Sequence, residues 1–280
     1  MCRLFGFRSS VPSRAHRSLV QAQNALADQA REHPHGWGIG WFAGGDAYVV
    51  KNHAAAADCG TFREAAERLS SNTLVAHVRK ATQGGVSGWN THPFRNGRWV
   101  FAHNGNIYGF SGMAERMREA TPAELRPRRL GETDSEAFFF FLLGRMGQNG
   151  VDVSGATPAS AEAVARATST AMADVRAWAE AEGAEPPIVN FLLTNGDDFF
   201  AHRCGRELYF STQKFSCRDA LTCPEPEKPC LLAVRPHDKV NHLLVTSERI
   251  ANSPAAPKLF FSALTIDKFS RVLLPYDPGT

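Results

Sequence analysis

The chain has 280 residues, 21% charged and 43% hydrophobic, with a net charge of +3 and both signs scattered along it. That length buries a substantial core, and the scattered charge gives no basic stripe of the kind a nucleic-acid binder needs. The longest apolar run, residues 137–143, falls far short of the roughly 18–20 residues of a membrane helix. No basic-then-apolar leader opens the chain, so the expected compartment is cytoplasmic.

In chain order, residues 13–30 carry Leu19, Ala22, Ala25, Leu26 and Ala30 near helical spacing and predict a first helix. In residues 35–42 glycine alternates with Trp37, Ile39 and Trp41, as in a strand that another backbone approaches closely. Residues 48–51 read as its hairpin partner across Gly44-Gly45. A short helix is predicted over 62–69, and two β-branched or aromatic strands over 73–79 and 98–103. Thr121-Pro122-Ala123-Glu124 and Thr133-Asp134-Ser135-Glu136 both fit the capping box, in which threonine and glutamate satisfy orphan N–H groups at a helix start. Thr157-Pro158 places proline at a first helical position, ahead of an alanine-rich helix over 159–181. The pattern then returns to strands at 188–194, 199–202, 208–211, 231–234 and 243–246, with loops at 217–229 and 251–258. Many antiparallel strands with a few long helices predict an α+β fold in layers. No composition break divides residues 1–280, so one domain is expected.

The six cysteines are Cys2, Cys59, Cys204, Cys217, Cys223 and Cys230. The last four are close together but contain no C-x-x-C pair, which argues for free thiols over a metal site. Cys2 stands apart because it directly follows the initiator methionine. Trimming of Met1, common before a small residue, would leave a thiol and a free α-amino group on one Cα. That amine has a reference pKa of about 7.7–8.0, so it would serve as the general base for its own side chain. The competing reading is a cysteine that merely begins a core strand.

Six stretches belong together: Cys2-Arg3-Leu4-Phe5-Gly6, residues 35–42, Ala76-His77-Val78-Arg79-Lys80-Ala81-Thr82, Asn90-Thr91-His92-Pro93-Phe94, Ala102-His103-Asn104-Gly105-Asn106-Ile107 and Thr133-Asp134-Ser135-Glu136. In this order and spacing the chain resembles the class II glutamine amidotransferase domain, an N-terminal-nucleophile hydrolase, and within it the stand-alone YafJ-like branch. The likeness has specific motifs from Cys2 to about Phe141 and weakens through the C-terminal strands.

The resemblance implies a four-layer αββα sandwich with two antiparallel sheets. It implies glutamine side-chain hydrolysis through a thioester on Cys2, with the Asn104 side chain and the Gly105 N–H as oxyanion hole. Arg79 would clamp the substrate α-carboxylate and Thr82 would help position it. Asp134 would hold the α-ammonium group, and His92, downstream of the flexible Gln83-Gly84-Gly85, would belong to a closing loop. Every role but that of Thr82 has a structural alternative. Asn104-Gly105 is also a hairpin signal. An aspartate in the first turn of a helix gains about 0.3–1 kcal/mol from the helix dipole without any substrate. His92 would equally serve as a packing residue, and Arg79 as a surface arginine at a strand end. Lys80 stands where some synthase-fused relatives carry tryptophan. His77 and His103, on apolar strands, read as core histidines.

No metal or organic cofactor is required by this chemistry. The expected ligand is a small molecule, glutamine or a γ-glutamyl amide, and one reading adds a separate ammonia-accepting synthase as partner. One alternative is a free-standing hydrolase of glutathione-like or ergothioneine-pathway γ-glutamyl compounds. Another is a catalytically silent sensing or scaffold domain.

Overall fold

The computed structural model describes residues 2–21, 25–211, 242–248, 263–266 and 272–273. Two antiparallel sheets dominate it. In the first, β1 (Arg3–Arg14) lies between β4 (Ser70–Val78) and β10 (His242–Thr246). Its edges are β3 (Asp46–Asn52), reached through β2 (Trp37–Ala43), and β9 (Tyr209–Ser211), giving the order β3-β2-β4-β1-β10-β9. The second sheet comprises β5 (Phe94–Asn96), β6 (Trp99–Asn106), β7 (Ile188–Thr194), β8 (Phe199–His202), β11 (Ala263–Ile266) and β12 (Val272–Leu273). Its order is β12-β11-β8-β7-β6-β5.

The period-2 alternation of strand side chains sorts the residues into three cores. On β1, Phe5 and Phe7 face one way and join Trp37, Ile39, Leu74, Ala76 and Val78 beneath α1 (Leu26–Gln29) and α2 (Gly60–Arg68), which contribute Leu26 and Phe62. On β6, Trp99 and Phe101 face α4 (Asp134–Gln148) and α5 (Ala161–Ala181) in a second cluster that includes Phe138, Phe141 and Val175. α3 (Phe110–Ala120) adds Met113 and Met117 to it. The opposite faces meet between the sheets, where Leu4, Val75, Val100, Ala102, Leu192, Phe199 and Val245 form a third cluster. The result is the expected helix–sheet–sheet–helix stack, in which each fully buried Leu, Val or Phe contributes about 1.5–3 kcal/mol. The sheets approach closely at Gly6, where a Cβ would lie 2.7 Å from the Phe199 ring.

Several sequence expectations need correction. Residues 13–30 are not one helix. β1 runs on to Arg14, and after it come a π-helical turn at Arg17–Gln21, the four-residue α1 and a 3-10 turn at Ala30–Glu32. Leu19, Leu26 and Ala30 still bury their side chains, so the periodicity reported the buried face correctly and the continuity wrongly. Thr121 ends α3 instead of starting a helix. Its hydroxyl donates to Met117 O at 2.8 Å, and it adopts the extended backbone that a following proline demands. Proline 158 also precedes its helix: α5 begins at Ala161 with Ser160 as the capping residue, accepting from Ala163 N at 3.3 Å. At Thr133 the cap forms as expected, accepting from Glu136 N at 3.2 Å. Glu136, however, reaches past the cap to the N–H groups of Leu130 and Gly131. The hairpin turn at Gly44-Gly45 carries positive φ at both residues (59° and 89°), as anticipated. The strand at 231–234, the loops at 217–229 and 251–258, and Cys217, Cys223 and Cys230 lie outside the described residues.

Candidate active site

The same alternation that builds the inter-sheet core brings the candidate residues to one end of it. Arg3 pairs with Val78 in the β1–β4 ladder, which sets Cys2 beside the segment that leaves β4 at Arg79 and Lys80. Cys2 shares its face of β1 with Leu4 and Gly6, as Arg79 shares its face with Val75 and His77. Asn104 follows Val100 and Ala102 on the inward face of β6. A bond from His77 Nε2 to His103 O, 3.1 Å long, ties the two sheets together at this level.

β1 holds Cys2 in place from both sides. Leu4 N donates to Ser247 Oγ (2.9 Å), and Ser247 N donates back to Leu4 O (3.0 Å). The half-buried Cys2 Sγ lies 3.4 Å from Lys80 N, which donates to it, and 3.5 Å from Lys80 O. Burial is the largest influence on the thiol and pushes its pKa up, while the Lys80 N–H and the Arg79 charge pull it down and Asp134 pushes it up again. With burial dominant, the resting sulfur keeps its proton and needs a base to give it up.

Arg79 is 2% exposed, so it is not the surface arginine of the alternative reading. Its guanidinium donates to three carbonyls of the loop that follows: Gly85 O at 2.9 Å, Gln83 O at 2.7 Å and Gly84 O at 3.3 Å. Its main chain is fixed by Arg79 N donating to Gly36 O and His35 N to Arg79 O. Desolvation lowers its pKa, and the acidic partners Cys2 and Asp134 oppose that shift.

Asp134 is the first residue of α4 and is buried. Its Oδ1 accepts from Ser135 N (2.7 Å) and Ser135 Oγ (3.1 Å), and its Oδ2 accepts from Ile107 N (2.8 Å) and Gln83 Nε2 (3.5 Å). The carboxylate therefore reaches from its own helix to the end of β6. Asn104 and Gly105 are ladder residues of β6, paired with Asn190 and Val189, so the hairpin alternative is wrong. The tight turn is absent because β6 continues to Asn106. The buried Asn104 amide oxygen has no partner among the described residues, which leaves this side chain uncommitted beside Cys2's end of the sheet. At Gly105 a Cβ would lie 1.8 Å from Ile188 O and 2.6 Å from His103 Nε2, so only glycine fits.

Thr82 is exposed on the loop just beyond Arg79. The structure does not present His92 to that loop. Its ring is 3% exposed and stacks on His77, with centroids 4.1 Å apart, and packs against Phe94. This is the placement of a packing residue. His103 joins Ser135 Oγ (2.8 Å) to Ile188 O (3.1 Å). Trp37 packs edge-on against Phe62, and Phe138, Phe139, Phe140 and Phe141 are all core. Among the described residues no group of three His, Cys, Asp or Glu side chains is placed to hold a metal ion, and Cys2, Cys59 and Cys204 are free thiols. No helix among them is long and apolar enough to cross a membrane.

Comparison with known proteins gives this geometry its context. The family model described as class-II glutamine amidotransferases matches residues 1–218. The chain belongs to this family. A Methanocaldococcus jannaschii protein is 32% identical over 155 residues, covering 52% of this chain and 39% of its own length. YafJ of Escherichia coli is 28% identical over 222 residues, 76% of this chain and 77% of its own. The γ-glutamyl-hercynylcysteine sulfoxide hydrolase of Mycobacterium tuberculosis is 37% identical over 73 residues, 26% of this chain and 31% of its own. A solved class-II domain protein from Silicibacter pomeroyi shares the fold with a TM-score of 0.60 at 18% identity, covering 95% of each chain. The chain spans 39% of the archaeal relative's length and 66% of that of a Haemophilus influenzae relative.

Within this class-II amidotransferase fold, sequence reasoning missed the side chains that connect the anchors. Gln83 was read only as flexible backbone, yet its amide touches Asn106, Ile107 and Asp134. Ser135 was read only as part of a helix start, yet it links Asp134 to His103. No local pattern signals either contact, because each spans more than twenty residues or depends on a hydroxyl rotamer. Asn106 stood inside a recognised motif and was the one recoverable clue.

Proposed function

We propose that this chain hydrolyses the side-chain amide of glutamine, using Cys2 as nucleophile after removal of Met1. The observation that carries the reading is the convergence of Cys2, Arg79, Asp134 and the Asn104-Gly105 segment at one end of the inter-sheet core. Arg79 would bind the α-carboxylate through two parallel bonds, and Asp134 the α-ammonium. Together they would select an amino-acid head group over simple amides. The freed α-amine takes the thiol proton as sulfur attacks the amide carbon. The Asn104 amide and Gly105 N–H hold the developing oxyanion, an interaction worth about 2.7–4 kcal/mol per donor in such sites. The amine then protonates the departing ammonia or amine, and water hydrolyses the γ-glutamyl thioester. The raised thiol pKa fits this scheme, since a protonated sulfur requires a base at hand.

A second reading, a dedicated γ-glutamyl hydrolase, is favoured by the mycobacterial sulfoxide hydrolase among the relatives. Transfer of ammonia to a separate synthase belongs to the first reading, and the whole chain acting as one domain belongs to both. Incubation with L-glutamine and a series of γ-glutamyl amides, with glutamate and amine quantified, separates them. Preference for glutamine supports the first and preference for a conjugate the second. Absence of turnover by protein whose intact mass shows Cys2 at the terminus would refute both and leave a silent domain. Cys2→Ala is expected to abolish the activity.

A further inference from the structure

Both candidate anchors are occupied by one short stretch of the chain itself. Gln83, Gly84 and Gly85 give their carbonyls to the Arg79 guanidinium, where the substrate carboxylate would sit. The Gln83 side chain turns the other way, and its amide nitrogen lies 2.7 Å from Asn106 Oδ1, 3.2 Å from Ile107 O and 3.5 Å from Asp134 Oδ2. Three acceptors thus converge on one nitrogen. A carboxamide nitrogen has only two protons and no charge, so it cannot donate to all three at once, although Ile107 O also accepts from Phe110 N and Asp134 Oδ2 from Ile107 N. A primary ammonium group has three protons and a positive charge that suits the carboxylate. The site is therefore better matched to an ammonium than to its present occupant. The loop is also placed to leave: Thr82, Gly84, Gly85 and Val86 are exposed, and Asn90 Nδ2 supplies an outer tether to Gly85 O at 3.0 Å.

We propose that Gln83 is an internal competitor of the substrate: its amide nitrogen holds the ammonium seat of Asp134, Asn106 and Ile107 until an amino-acid head group displaces it. This rests on the reading of Arg79 and Asp134 as head-group anchors. The loop carbonyls yield Arg79 to the arriving carboxylate in a separate exchange, open to any α-carboxylate. A ligand lacking the α-amino group recovers only the Arg79 contact and leaves the Gln83 amide in place. The competitor thereby sharpens selection for free α-amino acids and γ-glutamyl compounds with an unblocked amine.

The test is calorimetric binding in a Cys2→Ala background, which prevents turnover. The ligands are L-glutamine, γ-glutamylmethylamide and glutaramate, the last being glutamine without its α-amino group. Gln83→Ala and Gln83→Met both remove the donor, and the second retains the bulk. Each is expected to tighten binding of the two amino-bearing ligands on the order of ten-fold. That is the gain when a competitor occupying about nine-tenths of the molecules is removed. Glutaramate affinity is expected to stay as it was. Unchanged or weaker binding of the amino-bearing ligands would overturn the proposal and leave the anchors standing. So would equal tightening of all three, which would mark a general loosening of the loop. Failure of every ligand to bind the folded parent and both variants would overturn the anchor reading, and this proposal with it.

Discussion

Replacing Asp134 by asparagine separates a site residue from an ordinary helix start. A carboxylate that only complements the dipole of α4 would contribute about 0.3–1 kcal/mol. Asp134 does more in the structure, because each of its oxygens accepts from a backbone N–H, Oδ1 from Ser135 and Oδ2 from Ile107. Asparagine has one oxygen and one NH2 group, so in either orientation its NH2 faces one of those N–H donors. The substitution removes one charge-assisted bond, at about 1.5–3 kcal/mol, and strands a buried N–H, at about 1–3 kcal/mol. The sum is a loss of about 2.5–6 kcal/mol. With a urea m-value of about 3 kcal/mol/M, the unfolding midpoint falls by roughly 0.8–2 M. The same variant should lose most of its kcat/KM for glutamine, since the seat for the ammonium group loses its charge. Urea unfolding followed by far-UV circular dichroism, paired with ammonia release at saturating and limiting substrate, reads both effects. A stability loss under about 1 kcal/mol would refute the reasoning: Asp134 would then be a helix-terminal carboxylate and nothing more.

Three further outcomes are expected. Arg79→Lys exchanges a planar donor that serves three loop carbonyls for a single ammonium. kcat/KM should fall about ten- to a hundred-fold and hydrogen exchange at residues 83–85 should quicken, so an unchanged kcat/KM would count against the carboxylate clamp. Gly105→Ala drives a methyl to 1.8 Å from Ile188 O. The β6–β7 ladder must shift to admit it, so kcat should drop by roughly 10²–10³ as the oxyanion donor moves, and a near-normal rate would exclude Gly105 from that role. Acid should destabilise the fold through His77 and His202, whose burial pushes their pKa values down to about 3 and about 4 from 6.5. The unfolded chain takes up these protons first as pH falls. The stability they confer is therefore complete above about pH 6.5 and is lost at up to roughly 1.4 kcal/mol per pH unit for each histidine below it. A melting temperature that stays level from pH 7 to pH 5 would contradict this.

The architecture was legible where side chains report their surroundings at short range. β7 and β8 fall on their expected residues because apolar runs rich in β-branched or aromatic residues and bounded by turn residues have few alternative conformations. The glycines of β2 were read as points of close approach, and at Gly38 a Cβ would indeed lie 2.1 Å from His92 O. The failures share a different cause. Residues 13–30 have helical spacing, but the pairing of β1 with β4 extends to Arg14 and takes the first residues of that segment into a sheet. Tertiary pairing overrides a weak local preference. Thr121 satisfies a helix-start pattern and still serves as a helix end, because a hydroxyl bonds as readily to a carbonyl one turn back as to an N–H one turn on.

The candidate site shows the same division more sharply. Residue types named Cys2, Arg79, Asn104, Gly105 and Asp134, since each carries a chemical capacity that short motifs preserve. On the proposal above, Arg79 and Asp134 are held at rest by a competition, and a competition is invisible to motifs. Gln83 is the case in point: its sequence neighbours Gly84 and Gly85 mark flexibility, but only the fold puts its backbone on Arg79 and its amide toward Asp134. A buried guanidinium and a buried carboxylate cannot wait unpaired without costing several kcal/mol each. A chain that offers both to a zwitterion, as proposed above, would therefore have reason to satisfy them meanwhile with groups it can withdraw. Neutral amides and carbonyls meet that requirement, because they quiet each charge and still bind it more weakly than the substrate's own charges do. An ion pair between the anchors themselves would fail it, since the substrate would then have to break the stronger interaction before gaining its own.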